Sequence, residues 1–203
     1  AIYPKTNLSK NDGKEGVVPY LLRYKTALFP NQYWSIDITY IKMYRHHMYL
    51  TAIIDWYSRK IVGWGLADTL ETYHVLEAVR DAIDRYGAPA ILNSDQGSQF
   101  TSKEYRNLLK EYHITQSMDG QKRWADNIMV ERWFRSLKQE EIYINEYRTP
   151  RELRQSIGEY IRKYNTIRPH QALENKTPDA VYYASFSRSA TIAAGLDSAP
   201  LAC

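Results

Sequence analysis

The chain has 203 residues, 44% of them hydrophobic and 25% charged, which suits a globular protein with a sizeable core. The net charge of +4 hints at a polyanionic partner. The only cysteine, Cys203, excludes disulfides within the chain and cysteine-built zinc sites, and no apolar run approaches the roughly 20 residues of a membrane span.

Residues 1–30 carry breakers at Pro4, Asn11-Asp12-Gly13, Pro19 and Pro30 and read as an arm or linker, with at most a short helix over Tyr20–Thr26. No secretory signal is read there, and a start at Ala1 instead of Met is expected of a piece of a longer protein. Tyr33–Tyr40 then alternates, with Trp34, Ile36, Ile38 and Tyr40 on one face and Ser35, Asp37 and Thr39 on the other, which predicts a strand. His46–Asp55 and Lys60–Leu66 read as two further strands joined by short turns, giving an antiparallel meander. From Thr69 to Tyr86 the period changes. Leu70, Tyr73, Leu76, Val79 and Ile83 mark an amphipathic helix that Gly87-Ala88-Pro89 ends.

Ala90–Asn93 is expected to be a short buried strand with an exit loop over Ser94–Ser98. Thr101 or Ser102 caps a helix to about Tyr112, and Ile114–Ser117 can form one more strand. The polar loop Asp119–Arg123 leads into a helix over Ala125–Lys138. Thr149-Pro150 opens a helix with the apolar stripe Leu153, Ile157, Tyr160, Ile161 and Tyr164, and Arg151, Arg154, Arg162 and Lys163 make it basic. Asn165–Pro169 breaks it, and Thr177-Pro178 starts a last short helix through Tyr183. These readings divide the chain into an arm (1–30), a core (31–145), a helical extension (146–183) and a poorly ordered tail (184–203).

Three acids stand in distinctive settings. Asp37 lies mid-strand on the polar face, and Asp95 lies just past a strand end, where open α/β sheets place ligand sites. Glu131 shares a helix face with Asn127, Arg135 and Lys138 at spacings of four, four and three. A carboxylate among cations is also what a salt-bridged surface looks like, and that reading stays open from the helix alone. Together the three suggest one metal site. Its all-oxygen ligands favour Mg²⁺ or Mn²⁺, and a pair of such ions suits in-line phosphoryl transfer. Asp55 is a rival first acid, although it ends a strand beside a turn, where Asp is common. Lys122 and Arg123, on the loop next to the site, are candidate DNA contacts.

Trp34–Tyr40, Asn93–Thr101, Asp126–Glu140 and Tyr164–Leu173 together resemble the catalytic core of DDE transposases of the insertion-sequence-three family, relatives of retroviral integrases. The resemblance covers about residues 1–183. It implies a ribonuclease-H-like α/β fold: a mixed sheet, made of a three-strand antiparallel meander plus parallel strands, flanked by helices, with a C-terminal helical extension. It makes Asp37, Asp95 and Glu131 the catalytic acids, and Lys138 and Arg135 contacts to DNA near them. Tyr164, Asn165, Arg168, Pro169 and His170 match the family's downstream signature, in which Arg168 and His170 are candidate DNA contacts and His170 can equally be a local hydrogen-bonding residue. Asn93 stands where relatives commonly carry His.

The implied activity is metal-dependent cleavage and strand transfer on double-stranded DNA, at element ends and target, by a homo-oligomer in the bacterial cytoplasm at the nucleoid. The family's N-terminal helix-turn-helix is not in this chain and is expected in the full-length protein. A nuclease of the same fold without strand transfer, and an inactive DNA-binding or assembly module, are the alternatives.

Overall fold

The structure, a computed structural model, describes residues 16–43, 46–119 and 127–186. Strands β1 (Tyr33–Lys42), β2 (His47–Asp55), β3 (Ile61–Ala67), β4 (Ile91–Ser94) and β5 (Thr115–Met118) form a five-stranded sheet in the order β3-β2-β1-β4-β5. β1, β2 and β3 pair antiparallel, and β4 and β5 add in parallel. This is the mixed sheet of a ribonuclease-H-like fold.

Each face of the sheet supports its own apolar core. Trp34 and Ile36 of β1 pack with Val79, Leu92, Phe100 and Tyr105 on one side. Leu50, Ala52 and Ile54 of β2 pack with Val130, Phe134, Leu153 and Ile157 on the other. A strand covered on both faces reads as a nearly unbroken apolar run, which explains β2.

On the first face lie α1 (Thr72–Tyr86), the single turn α2 (Ser98–Thr101) and α3 (Lys103–Glu111). The helix expected from Thr69 starts at Thr72, and Leu70 and Tyr73 are exposed. Leu76, Val79 and Ile83 of the expected stripe are buried, joined by Val75, Ala78 and Ala82. The small residues matter, because a Cβ on Gly63 of β3 would stand 2.7 Å from that of Ala82. Ser102 caps α3 by accepting from Tyr105 N–H, as expected of one of the two candidates, while α2 occupies part of what reads as loop.

On the second face, α4 (Ile128–Leu137) continues into a π-helical turn over Lys138–Ile142. α5 (Pro150–Thr166) starts as predicted, with Pro150 at its first turn and Thr149 Oγ1 accepting from Glu152 N–H. It buries Leu153, Ile157, Ile161 and Tyr164, whereas Tyr160 of the expected stripe is half-buried. A last helix, α6, covers 178–186 and runs past the expected end at Tyr183 into the stretch read as tail. No helix forms over 20–26; a turn at 23–24 takes its place. Most of the expected loop 119–123 and the rest of the tail lie outside the described residues, as does the arm before Gly16.

Candidate active site

The sheet sets two acids side by side. β1 and β4 run parallel with Ser35 opposite Asn93, and two residues further along each chain come Asp37 and Asp95. Asp37 lies on the sheet face that α4 covers, and α4 brings Glu131 to it. Asp37, Thr39, Glu131, Arg135, Lys138 and Tyr143 line one open cleft of about 400 Å³. The predicted face of the helix thus points into this cleft, except for Asn127. That residue is buried before the first turn, its Nδ2 3.4 Å from Ile36 O.

Asp95 does not line the cleft, and no three His, Cys, Asp or Glu side chains among the described residues surround a common point closely enough to hold one ion. Asp95 Oδ1 accepts the Gly97 N–H at 2.8 Å, in an approach that a Cβ at Gly97 would crowd at 2.9 Å. Its charge still reaches Asp37. Burial, above all, pushes the Asp37 carboxyl up to about 7; the Ile38 N–H opposes this, and the charges of Asp95, Glu131 and Asp119 add to it.

Asp119, which reads in the sequence as an ordinary loop acid, adds its charge to Asp37. It follows β5 as Asp95 follows the parallel strand β4, so the strand-end rule that points to Asp95 also points to it. Asn93 Nδ2 donates to its Oδ1 at 2.7 Å, which gives the departure from the family's usual His a place beside the site.

Lys138 is the cation fixed at the cleft. Its Nζ donates to Thr39 Oγ1 at 2.7 Å and sits 5.0 Å from the centre of the Tyr40 ring. Burial lowers its pKa and Asp37 opposes the lowering. Arg135 is exposed at the rim. Lys122 and Arg123 lie outside the described residues.

The two downstream candidates are elsewhere. Arg168 pairs with Glu140 through both guanidinium nitrogens, and His170 stacks edge-on against Tyr164 with ring centres 4.6 Å apart. Both line a second cavity on the neighbouring flank of α4. Asn165 of the same signature clamps the start of β3, accepting Ile61 N–H and donating to Ile61 O, each at 3.0 Å. Asp55, the rival acid, is fully buried and accepts from Asn31 N–H, Ser58 N–H and Ser58 Oγ. It braces a turn.

A mixed sheet of this order flanked by helices is that of an integrase-type core, and the three acids stand on it mid-strand, past the parallel strand's end and on the covering helix. The sequence matches the family described as "Integrase core domain" over residues 28–123 and, in a second model of that description, over 112–178. Relatives with curated names include the "Transposase for insertion sequence element IS904" of Lactococcus lactis, 36% identical over 75% of this chain and 61% of its own length. A second is the "Putative transposase InsK for insertion sequence element IS150" of Escherichia coli, 32% identical over 75% of this chain and 54% of its own. An "Uncharacterized transposase-like protein" of Haemophilus influenzae is 35% identical over 78% of this chain and 74% of its own.

Among solved structures, the catalytic core of HTLV-2 integrase in complex with magnesium superposes with a TM-score of 0.64 at 22% identity, covering 76% of this chain and 98% of that one. A chain of the simian T-cell lymphotropic virus intasome gives 0.71 at 18% identity, covering 85% and 61%. The chain belongs to the DDE transposase and retroviral-integrase superfamily, among the transposases of the insertion-sequence-three family. It spans 61% and 54% of the lengths of the first two relatives named.

Proposed function

We propose that this chain is the catalytic part of a transposase that cuts DNA at an element's end and joins the freed end to target DNA, with divalent metal held by Asp37, Asp95 and Glu131. The observation that carries this reading is geometric: Asp37 and Glu131 line one cleft, and Asp95 follows the strand that runs parallel to β1, near enough for its charge to act on Asp37. The carboxyl of Asp37, raised to about 7 mainly by burial and further by these neighbouring acids, fits a site that a cation completes.

The donor set fits a hard ion. Carboxylate oxygens, with no imidazole or thiolate lining the cleft, suit Mg²⁺ or Mn²⁺. Asp95 accepts the Gly97 N–H on Oδ1, which leaves Oδ2 outside that bond as an oxygen ligand for an ion. When bound, such ions, two in this reading, make water a stronger nucleophile and stabilise the departing oxygen. The chain's own residues bind and orient. Arg135 and Lys138 hold phosphates at the cleft, and Thr39 fixes the Lys138 ammonium. Water adds to phosphorus, the P–O3′ bond breaks, and a 3′-hydroxyl and a 5′-phosphate remain. The 3′-oxygen then attacks a target phosphodiester and displaces its 3′-oxygen.

The relatives' names as transposases of insertion sequences support transposition as the process. The magnesium in one integrase neighbour supports the choice of ion, and the intasome in another supports a homo-oligomer around paired DNA ends. None of the described helices is long and apolar enough to cross a membrane. A bacterial enzyme of this kind works in the cytoplasm at the nucleoid, with element ends read by a helix-turn-helix region of the full-length protein.

The test is to incubate labelled element-end DNA with Mg²⁺ or Mn²⁺ and resolve the products. Cleavage and joining are expected from the wild type, and neither from Asp37→Asn. Cleavage without joining of a pre-cut 3′ end would make the chain a nuclease. The absence of any metal-dependent product would leave a binding module.

A further inference from the structure

The second cavity, of about 360 Å³, lies between α4, the turn before β3 and the segment after α5. On α4 the residues lining it include Arg132, Trp133 and Ser136, whereas Glu131, Arg135 and Lys138 line the cleft. At about 100° per residue, the two sites occupy neighbouring flanks of one helix.

This cavity holds two arginines without an ion pair and a buried donor without a partner. Among the described residues neither Arg59 nor Arg132 has a carboxylate at ion-pair distance, in contrast to Arg168, which Glu140 neutralises; the Arg59 guanidinium donates to Met129 Sδ, a weak acceptor, and Arg132 is exposed. Trp133 is 2% exposed, and its Nε1 is buried without a hydrogen-bond partner; so is His170 Nε2. A buried donor left unpaired costs about 1–3 kcal/mol, so the Trp133 indole points to an acceptor supplied from outside, and His170 Nε2 joins it as a second donor in the tautomer that carries the proton there.

Arg59 is held there by its turn. It adopts a left-handed conformation with φ +63° and donates its N–H to Asp55 O at 2.9 Å. Such backbone strain in a residue that is not glycine is stored at functional sites more often than elsewhere. Burial lowers the Arg59 pKa, and Arg132 adds to the lowering against the pull of Tyr164 and Asp55. An anion between the two guanidiniums relieves that repulsion.

We propose that this cavity is a phosphodiester subsite, in which Arg59 and Arg132 hold a DNA backbone phosphate and the Trp133 and His170 ring nitrogens donate to its oxygens. The volume exceeds by an order of magnitude the roughly 30 Å³ share of one water, leaving room for a phosphate with its sugar. Ile54, Met129 and Tyr164 supply apolar wall for the sugar. DNA lying in the catalytic cleft is thereby gripped a second time, one helix flank away, and its path past Glu131 is fixed at two points. The inference rests on the reading of the chain as a DNA-acting enzyme.

The test is a salt titration of binding to a duplex of fixed length, without divalent metal, for the wild type, Arg132→Gln, Arg59→Asn and Arg162→Gln. Asn tolerates the left-handed backbone of Arg59, and Arg162 is an exposed cation of α5 outside the cavity. Each of the first two variants is expected to lose about one from the magnitude of the salt slope, with roughly tenfold weaker binding, while Arg162→Gln keeps the wild-type slope. Free phosphate is the competing ligand. Displacement of DNA from the wild type by millimolar inorganic phosphate, with no such effect in Arg132→Gln, would assign the cavity to the small anion and overturn the DNA role. An unchanged slope in Arg132→Gln, or an equal fall in Arg162→Gln, also overturns it. Each of these outcomes is separate from the product assay: a wild type that cuts and joins DNA with Arg132→Gln unaltered in slope sinks only the subsite. A wild type without products whose slope falls in Arg132→Gln sinks only the catalytic reading.

Discussion

Lys138 Nζ donates to Thr39 Oγ1 at 2.7 Å, and Thr39 stands two residues beyond Asp37 on β1. The lysine is therefore tethered to the strand that carries the acid, and its charge acts on Asp37 as well as on any phosphate in the cleft. Removing a cation from beside a carboxylate raises the carboxylate's pKa. In Lys138→Ala the acid limb of the pH–rate profile is expected to move to higher pH, and the salt slope of DNA binding to lose about one. Thr39→Val keeps the charge and frees the ammonium, so its slope should stay near wild type while its rate falls. A pH profile of Lys138→Ala that overlays the wild type would show that the lysine serves DNA alone.

Asp55 and Asp37 give opposite results when neutralised. Asp55 accepts three hydrogen bonds across its two oxygens, so Asp55→Asn turns one of those oxygens into a donor that faces a donor. A stability loss of about 1–3 kcal/mol is expected, with DNA cleavage per folded molecule retained. Asp37→Asn is expected to keep or raise stability and to abolish cleavage. Urea melts beside the product assay check both. Loss of cleavage in a fully folded Asp55→Asn would return that residue to the site.

The sequence discloses the sheet and its acids because those signals are local. Alternation marks β1, a continuous apolar run marks β2, and Pro150 with Thr149 marks the start of α5. Asp37 and Glu131 stand out by their setting in one element each. What stays hidden depends on pairs far apart in the chain. The exposure of Leu70 and Tyr73 follows from where α1 meets β3, at Gly63 and Ala82, and no helical period discloses that contact. Likewise Arg59 and Arg132 meet only because the β2–β3 turn folds against α4. The separation of Arg168 and His170 from the cleft of Asp37 and Glu131 is set by the packing of α5, and the motif that names them says nothing of it.

Lys60 is a further case of a long-range pair. Its side chain is 3% exposed and forms an ion pair with Asp179 of α6, while the rings of Tyr86, Tyr182 and Tyr183 lie 5.1, 5.5 and 5.1 Å from its Nζ. A buried charge deprived of its partner is costly, though the quarter exposure of Asp179 moderates this. Asp179→Asn is expected to cost on the order of 2–3 kcal/mol and to release α6 first. Hydrogen exchange would show 178–186 opening ahead of the sheet. Uniform loss of protection across the chain would deny the pair this local role.

The metal-free site should be a stability liability that grows with pH. The Asp37 carboxyl has a folded pKa of about 7 against an ordinary 3.8. A raised folded value contributes stability that is complete below the unfolded pKa and is lost as the pH rises through the folded one. In EDTA the wild type should therefore lose stability between about pH 4 and pH 7, and Asp37→Asn should lack that component. Asp95 contributes to the elevation, so Asp95→Asn should lower the Asp37 value and raise the melting temperature at neutral pH. Added Mg²⁺ stabilises the folded wild type by mass action, since the unfolded chain presents no site. Ion binding must displace the Asp37 proton, so apparent Mg²⁺ affinity should climb with pH and level off above about 7. The same Mg²⁺ should do less for Asp95→Asn, which lacks a ligand, so the two proteins should approach one another in melting temperature at saturating metal. Asp95 lies outside the cleft that Asp37 and Glu131 share, which makes this the demanding case. Equal Mg²⁺ shifts in wild type and Asp95→Asn, at pH 8 where Asp37 is ionised in both, would remove Asp95 from the metal site and leave the cleft with two acids.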